Sequence, residues 1–254
     1  HLDYLIRTSI QRGVPEEIAY RVASWSVARH YGLDRNSGLS VDPDRRGAIA
    51  PGWLADFVLL NDARTCAIDS VFKKGKLAEE CVATVDRSVF ANSIHAKSPE
   101  LADLKAPEGR VHVIGVKPGK IITDKLVMNH SDHGVAQFSV LERYGKGSKP
   151  QNAYAFGFGE SFKGAIASSV GHDSHNLAVV GTSVSDQQIA LKVLIQSGGG
   201  FCVVQNGTVL AHLPLPMGGL MSHDEPAKVT RSLKELRVAS HAIGCGLEEP
   251  FLQL

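Results

Sequence analysis

The sequence predicts a mixed chain: a helical opening, a small β unit and then a larger α+β domain. Three observations carry this expectation. Apolar residues at helical spacing run through residues 1–33. From about residue 34 the texture turns to glycine, proline and short β-branched runs. Beyond residue 110, strand-like segments are interleaved with two helical patterns that close on glycine. A chain of 254 residues can form one large domain or two to three small ones.

In the opening stretch, Leu2, Leu5, Ile6 and Ile10 follow helical spacing, and Gly13 supplies a left-handed stop. Pro15 opens a second helix with Glu16 and Glu17 in its first turn, where the dipole favours acids. Ile18, Val22 and Trp25 form its expected apolar stripe, and Gly32 ends it. Gly47 to Gly52 is rich in turn residues and leads to a short strand, Ala55 to Leu60. Ser70 to Lys76 reads as strand, turn and return strand. Residues 84–110 are polar, carry Pro99 and Pro107, and read as a linker or surface excursion with Asn92 and His95 isolated in it.

Val111 to Val116 is strand-like and Lys117-Pro118-Gly119-Lys120 a turn. Ala136, Phe138 and Val140 alternate with Gln137, Ser139 and Leu141 as in a half-buried strand. Glu142 and Arg143 close that strand as a surface ion pair. Ser185-Asp186-Gln187-Gln188 reads as a capping box for a helix stopped by Gly198-Gly199-Gly200. This triple glycine follows a helix and lacks a Gly-Lys-Ser/Thr sequence, which excludes a phosphate loop. Asn206-Gly207 between two apolar runs is a hairpin signal. Ser222 to Glu225 offers a cap for a last helix with Val229, Leu233, Leu236 and Ile243 inward. The apolar ending Pro250 to Leu254 suggests a further strand.

Net charge is +1, with 27 basic and 26 acidic residues interspersed, so no electrostatic footprint for nucleic acid or an anionic membrane appears. No apolar run reaches the ~20 residues of a membrane span, and no signal-peptide pattern opens the chain. Cys66, Cys81, Cys202 and Cys245 lack metal-type spacing and read as reduced thiols of a cytoplasmic protein.

The densest polar cluster is His172-Asp173-Ser174-His175-Asn176, between two segments of small or β-branched residues. Such a cluster is either a set of cleft residues or a solvated turn whose Asp and Asn bond their own backbone. Asn129 to Gly134 is a second His/Asp-rich patch, expected to be exposed.

Tyr31-Gly32-Leu33, then Gly47 through Leu60, then Val71 through Gly75 resemble the close of the amidohydrolase superfamily. There the chain leaves the last helix of a metal-dependent (β/α)8 hydrolase barrel and returns to a small β-sandwich. Asp56 is expected to be a structural turn or strand-edge residue. Gly164 to Ser169, His172 to Asn176, Val180 to Thr182, Gly198 to Gly200, Leu213 to Ser222 and Pro250-Phe251 resemble the C-terminal domain of bacterial-type adenine deaminases. The resemblance implies residues 1–33 as the last barrel helices, 34–83 as a β-sandwich segment, 84–110 as a linker and 111–254 as an α+β C-terminal domain.

It further implies hydrolytic deamination of adenine to hypoxanthine and ammonia by a hydroxide on a divalent pair, manganese or iron, in a homo-oligomer. The sequence departs from the family in one respect. The barrel's ligands have no matching positions, and His-x-His occurs nowhere. The chain therefore resembles the C-terminal part of such an enzyme, with metal ligands and the remainder of the barrel outside it. No residue is assigned to catalysis or to a metal. His172, Asp173, His175 and Asn176 are candidate pocket or supporting groups, and His1 and Asp3 could line the mouth of the site. Two alternatives stand beside this: a non-catalytic assembly or gating module, and an amidohydrolase acting on another nucleobase or a cyclic amide.

Overall fold

The computed structural model describes residues 1–35, 44–81, 92–147, 149–171 and 173–254. The chain divides into two units, His1–Val85 and Asp86–Leu254.

The first unit opens with three helices, α1 (Leu2–Gln11), α2 (Glu16–Ala23) and α3 (Trp25–His30), where the spacing predicted two. The break falls at Ser24, whose hydroxyl bonds back to the Tyr20 carbonyl at 2.7 Å and competes with the helical ladder. Gly13 has the expected positive φ after α1. The buried face of α2 is not the predicted stripe, since Ile18 and Val22 are 43% and 58% exposed. Ala19 is buried instead, in a cluster with Ile6 and Cys66 that Ile10, Tyr20, Ala23 and Leu60 pack against.

A three-stranded antiparallel sheet follows: β1 (Phe57–Asp62), β2 (Ala67–Lys73) and β3 (Lys76–Leu77). The β2–β3 turn places Lys74 and Gly75 at positive φ, as the turn signal required. Asp56 anchors that turn. Its carboxylate accepts the Lys74 amide at 2.8 Å and pairs with Arg46 at 3.3 Å and with Lys73.

The second unit holds one eight-stranded sheet in the order β11-β10-β8-β9-β6-β7-β4-β5. Its strands are β4 (Arg110–Gly115), β5 (Asp124–Asn129), β6 (Val135–Leu141), β7 (Gln151–Phe156), β8 (Ala165–Ser168), β9 (Leu177–Gly181), β10 (Gly200–Gln205) and β11 (Thr208–Pro214). All neighbours are antiparallel except β4 and β7.

Helix α4 (Val184–Ser197) packs on β8, β9 and β10, and α5 (Pro226–Ala242) packs on β10 and β11. Strand pairing aligns Val203, Ile166, Val180 and Phe138 in one row, and Cys202, Ala167, Val179 and Ser139 in the next. The first row joins the cluster that contains Leu236 and Ile243. Ala167, Val179 and Cys202 join Leu191 and Leu194 of α4. The central strands are thus covered on both faces, and β6 is more buried than its half-buried pattern predicted. Burying a Leu or Ile side chain fully contributes about 1.5–3 kcal/mol.

Small residues let α4 approach the sheet. The buried Ser139 hydroxyl bonds Gln187 of α4 at 3.2 Å, and Gln187 in turn donates to the Gly181 carbonyl. The helix is capped by Ser183, two residues before the predicted box, with its hydroxyl accepting the Asp186 amide at 3.3 Å. Asp186 faces elsewhere: its buried carboxylate accepts the amides of Asn206 and Gly207 at 3.1 and 2.8 Å.

Part of the predicted linker belongs to this unit. Ile94 and Leu104 are 3% and 0% exposed and pack under α4. The Glu142–Arg143 surface pair is overturned, because Arg143 is buried and the Glu142 carboxylate caps the amides of Tyr144 and Lys146. The terminal apolar residues form a 3-10 turn, Pro250–Leu252, with Phe251 packed on Phe201 at 4.9 Å between ring centroids. Among the described residues no helix is long and apolar enough to cross a membrane. Cys66, Cys202 and Cys245 are buried, Cys81 is exposed, and all four are free thiols.

Two outcomes follow from the carboxylates. Partial burial opposes the Asp56 anion, but bonds from Lys73, Lys74 and Arg46 outweigh it and hold the carboxyl below its usual 3.8. A lowered folded pKa adds stability above the unfolded value and loses it as pH falls through the folded one. Asp56→Asn therefore lowers the melting temperature near neutrality, and the gap to wild type closes below about pH 4 in a melting series. Asp186→Ala removes the acceptor of the Asn206 and Gly207 amides, whose exposed turn lets water replace it, and costs about 0.5–1.5 kcal/mol per bond in urea unfolding.

Candidate functional site

Strand β6 ends at the buried Leu141, and two residues later the chain turns Arg143 inward, leaving it 3% exposed. A guanidinium keeps its charge at any working pH, so a buried one requires oxygens around it. Arg143 reaches three segments. Nη1 donates to the His175 carbonyl at 3.0 Å, and Nη2 donates to the Ser93 hydroxyl and to the Gly218 carbonyl. All three acceptors are neutral. Its own amide donates to Asn176 Oδ1 at 3.4 Å, and its carbonyl accepts the His95 amide at 2.7 Å.

Ser169, at the exit of β8, ties the next two segments together. Its hydroxyl donates to the Gly219 carbonyl at 2.6 Å and accepts the Gly200 amide at 2.7 Å. Backbone approach here leaves no room for side chains. A Cβ on Gly199 would lie 2.5 Å from the Gly219 Cα, and one on Gly219 would lie 2.9 Å from Arg143 Nη2. Both glycines also have positive φ, at 110° and 72°. The Gly-Gly of the Met217–Met221 turn therefore lies against Arg143, and the triple glycine after α4 closes on that turn through Gly199 and Ser169.

Over this hub lies the His/Asp loop. Asp173 and His175 have φ of 67° and 49°, a left-handed conformation that costs a non-glycine residue about 1–3 kcal/mol when over-determined by its surroundings. Asp173 and Ser174 are exposed at the loop tip, while His175 and Asn176 are half-buried and held by Arg143. His175 Nδ1 and Arg143 Nε are buried without a hydrogen-bond partner among the described residues. The structure thus brings Asp173, His175 and Asn176 together, and His172 lies outside the described residues.

The other two candidates belong to the first unit. His1 is exposed, and Asp3 pairs with Arg7 at 3.3 Å, one helical turn away. Both line a cavity of about 790 Å3 in that unit with Tyr20, Arg46, Asp56 and Cys66. Burial and the neighbouring Cys66 thiol push the Tyr20 phenol up to about 12, so it stays a neutral donor, and it bonds the Ala63 carbonyl at 2.6 Å. The second patch is a structural turn between β5 and β6. Asp132 accepts the Asn129 amide at 2.8 Å and His130 Nδ1 accepts the Gly109 amide at 2.8 Å.

Sequence reasoning missed Arg143, Ser93 and the closing role of Gly199 and Gly219. Ser169 and the glycines stood in segments already singled out, and only tertiary placement shows that those segments meet. Arg143 carried no signal of its own, because an arginine beside a glutamate at a strand end has the pattern of a solvated pair. Ser169→Ala removes a buried hydroxyl from two partners and costs about 1–3 kcal/mol in denaturant unfolding, with its secondary structure unchanged by circular dichroism.

Residues 118–254, more than half of the chain, match the family described as the adenine deaminase C-terminal domain. Across its full length the chain is 40% identical to "Adenine deaminase 1" of Rhizobium johnstonii, covering 45% of that protein. It is 39% identical to "Adenine deaminase 1" of Agrobacterium fabrum and 38% to "Adenine deaminase" of Escherichia coli O1:K1 / APEC, covering 45% and 44% of them. The chain spans a little under half the length of these curated relatives. The segments gathered around Arg143 all lie within the matched residues except the one that carries Ser93 and His95, and the chain belongs to the adenine deaminase C-terminal domain family.

Proposed function

We propose that this chain is the C-terminal part of a metal-dependent hydrolase that converts adenine and water to hypoxanthine and ammonia. The observation that carries the reading is similarity to adenine deaminases along the whole chain, with four of the segments that carry the likeness meeting around Arg143 and Ser169. In this reading residues 1–33 are the last helices of a (β/α)8 barrel, 34–83 a β-sandwich segment and 111–254 the C-terminal domain. The first unit's helices followed by a small antiparallel sheet are consistent with that order.

Among the described residues no group of three or more His, Cys, Asp or Glu could hold a metal ion. The metal pair, manganese or iron in this reading, is held by the rest of the enzyme, and the described residues contribute no ligand set of their own. What they contribute is shape and polarity. His1 and Asp3 line the mouth of the site, and His172, Asp173, His175 and Asn176 wall the pocket or support its lining. Adenine is the proposed substrate, the remainder of the barrel the proposed partner, and a cytoplasmic homo-oligomer the proposed assembly. Four free thiols support a reducing compartment.

A second reading draws on the bonds that tie His175 and Asn176 to Arg143: a module that assembles subunits or gates a pocket, in which the cluster merely holds a loop. The complete natural protein, loaded with manganese or iron, releases ammonia and forms hypoxanthine from adenine. Turnover of guanine, cytosine or a cyclic amide in place of adenine overturns the substrate. His175→Ala lowers kcat/KM for adenine by about 10–100-fold, whereas wild-type activity in that variant supports the non-catalytic module.

A further inference from the structure

We propose that Arg143 is a positioning residue: its guanidinium fixes the 173–176 loop against the Met217–Met221 turn and Ser93, and so sets the pocket-facing geometry of that loop. The inference rests on the proposed reading that the loop serves the adenine site. Two left-handed non-glycine residues, Asp173 and His175, hold their conformation only where neighbours impose it. Arg143 holds the second of them and the residue after it, through Nη1 on the His175 carbonyl and through its amide on Asn176 Oδ1.

The same planar fork reaches the Gly218 carbonyl and the Ser93 hydroxyl, so one rigid group ties the loop to two segments far away in sequence. The charge itself is expensive. A buried guanidinium surrounded by neutral oxygens, with Nε lacking a partner among the described residues, is a poor choice for stability alone. Apolar residues of similar volume fill cores without that cost. What an apolar residue cannot do is reach three oxygens at fixed angles. Lysine keeps the charge but not the fork, which separates the geometric role from the electrostatic one.

The test uses the complete natural protein with manganese or iron and compares Arg143→Lys, Arg143→Met and Asn176→Ala with wild type. The first two alter the fork, and the third removes the loop's own acceptor without touching the guanidinium. Kinetics with adenine are measured well below each melting temperature, alongside amide hydrogen exchange. Arg143→Lys and Arg143→Met are expected to lose about 10–100-fold in kcat/KM, since misplacement of about 1 Å has that effect. Asn176→Ala loses less.

Exchange accelerates at least about tenfold at residues 173–177 and stays at wild-type rates in β8 and β9. Arg143→Lys within twofold of wild-type kcat/KM overturns the positioning role, as does exchange that rises across the whole sheet in every soluble variant. If Arg143→Met does not fold, Arg143→Lys and Asn176→Ala still decide the question. Failure of the functional reading is separate: wild type without adenine turnover sinks that reading, while the exchange measurement continues to decide whether Arg143 holds the loop.

Discussion

A buried positive charge that cannot be discharged sets the terms for the second unit. Arg143 obtains its oxygens from the loop after β8, from the segment before β4 and from the turn after β11. Each of those pieces is irregular where it meets the arginine. Their common dependence on one guanidinium explains why so many small residues crowd there. Ser169, Gly199 and Gly219 are small because the backbones they belong to must approach within contact distance of one another. The sheet and its two helices supply the rigid floor, and the arginine decides where the irregular segments rest on it.

Local signals were legible in the sequence and distant ones were not. Asn206-Gly207 gave its hairpin because a two-residue turn with two positive φ values is decided by the two residues themselves. Gly198 stopped α4 and Gly244 followed α5 for the same reason. The cap of α4 was misplaced because Ser183 and Ser185 lie within reach of the same first turn, and only geometry selects Ser183. Strands β5 and β7 escaped notice. Gln151-Asn152-Ala153-Tyr154 offers little β-branched character, and its pairing with β4 and β6 comes from the tertiary sheet.

The candidate site was legible in outline. The cluster from His172 to Asn176 was found because five polar residues interrupt two apolar runs. The half-buried state of His175 and Asn176, against the exposure of Asp173 and Ser174, could not be read, since it depends on Arg143, which follows a different strand. The burial of Ile94 and Leu104 was hidden in the same way. A polar stretch with two prolines resembles a linker until a helix is laid over its few apolar residues.

The bond between Asp186 and the Asn206-Gly207 turn has a consequence for the order of folding. It joins groups only 20 and 21 residues apart, so α4, β10 and β11 can close a short loop at small entropic expense. The Arg143 contacts span 32 to 75 residues, and the β4–β7 pair also joins distant segments. Long-range closures of that kind lag behind local ones during folding. The helix–hairpin piece would then be an early template, and the arginine hub would lock last, after the segments it joins have come together. A nascent chain would therefore carry Arg143 in water until its final acceptors, beyond residue 214, have been made.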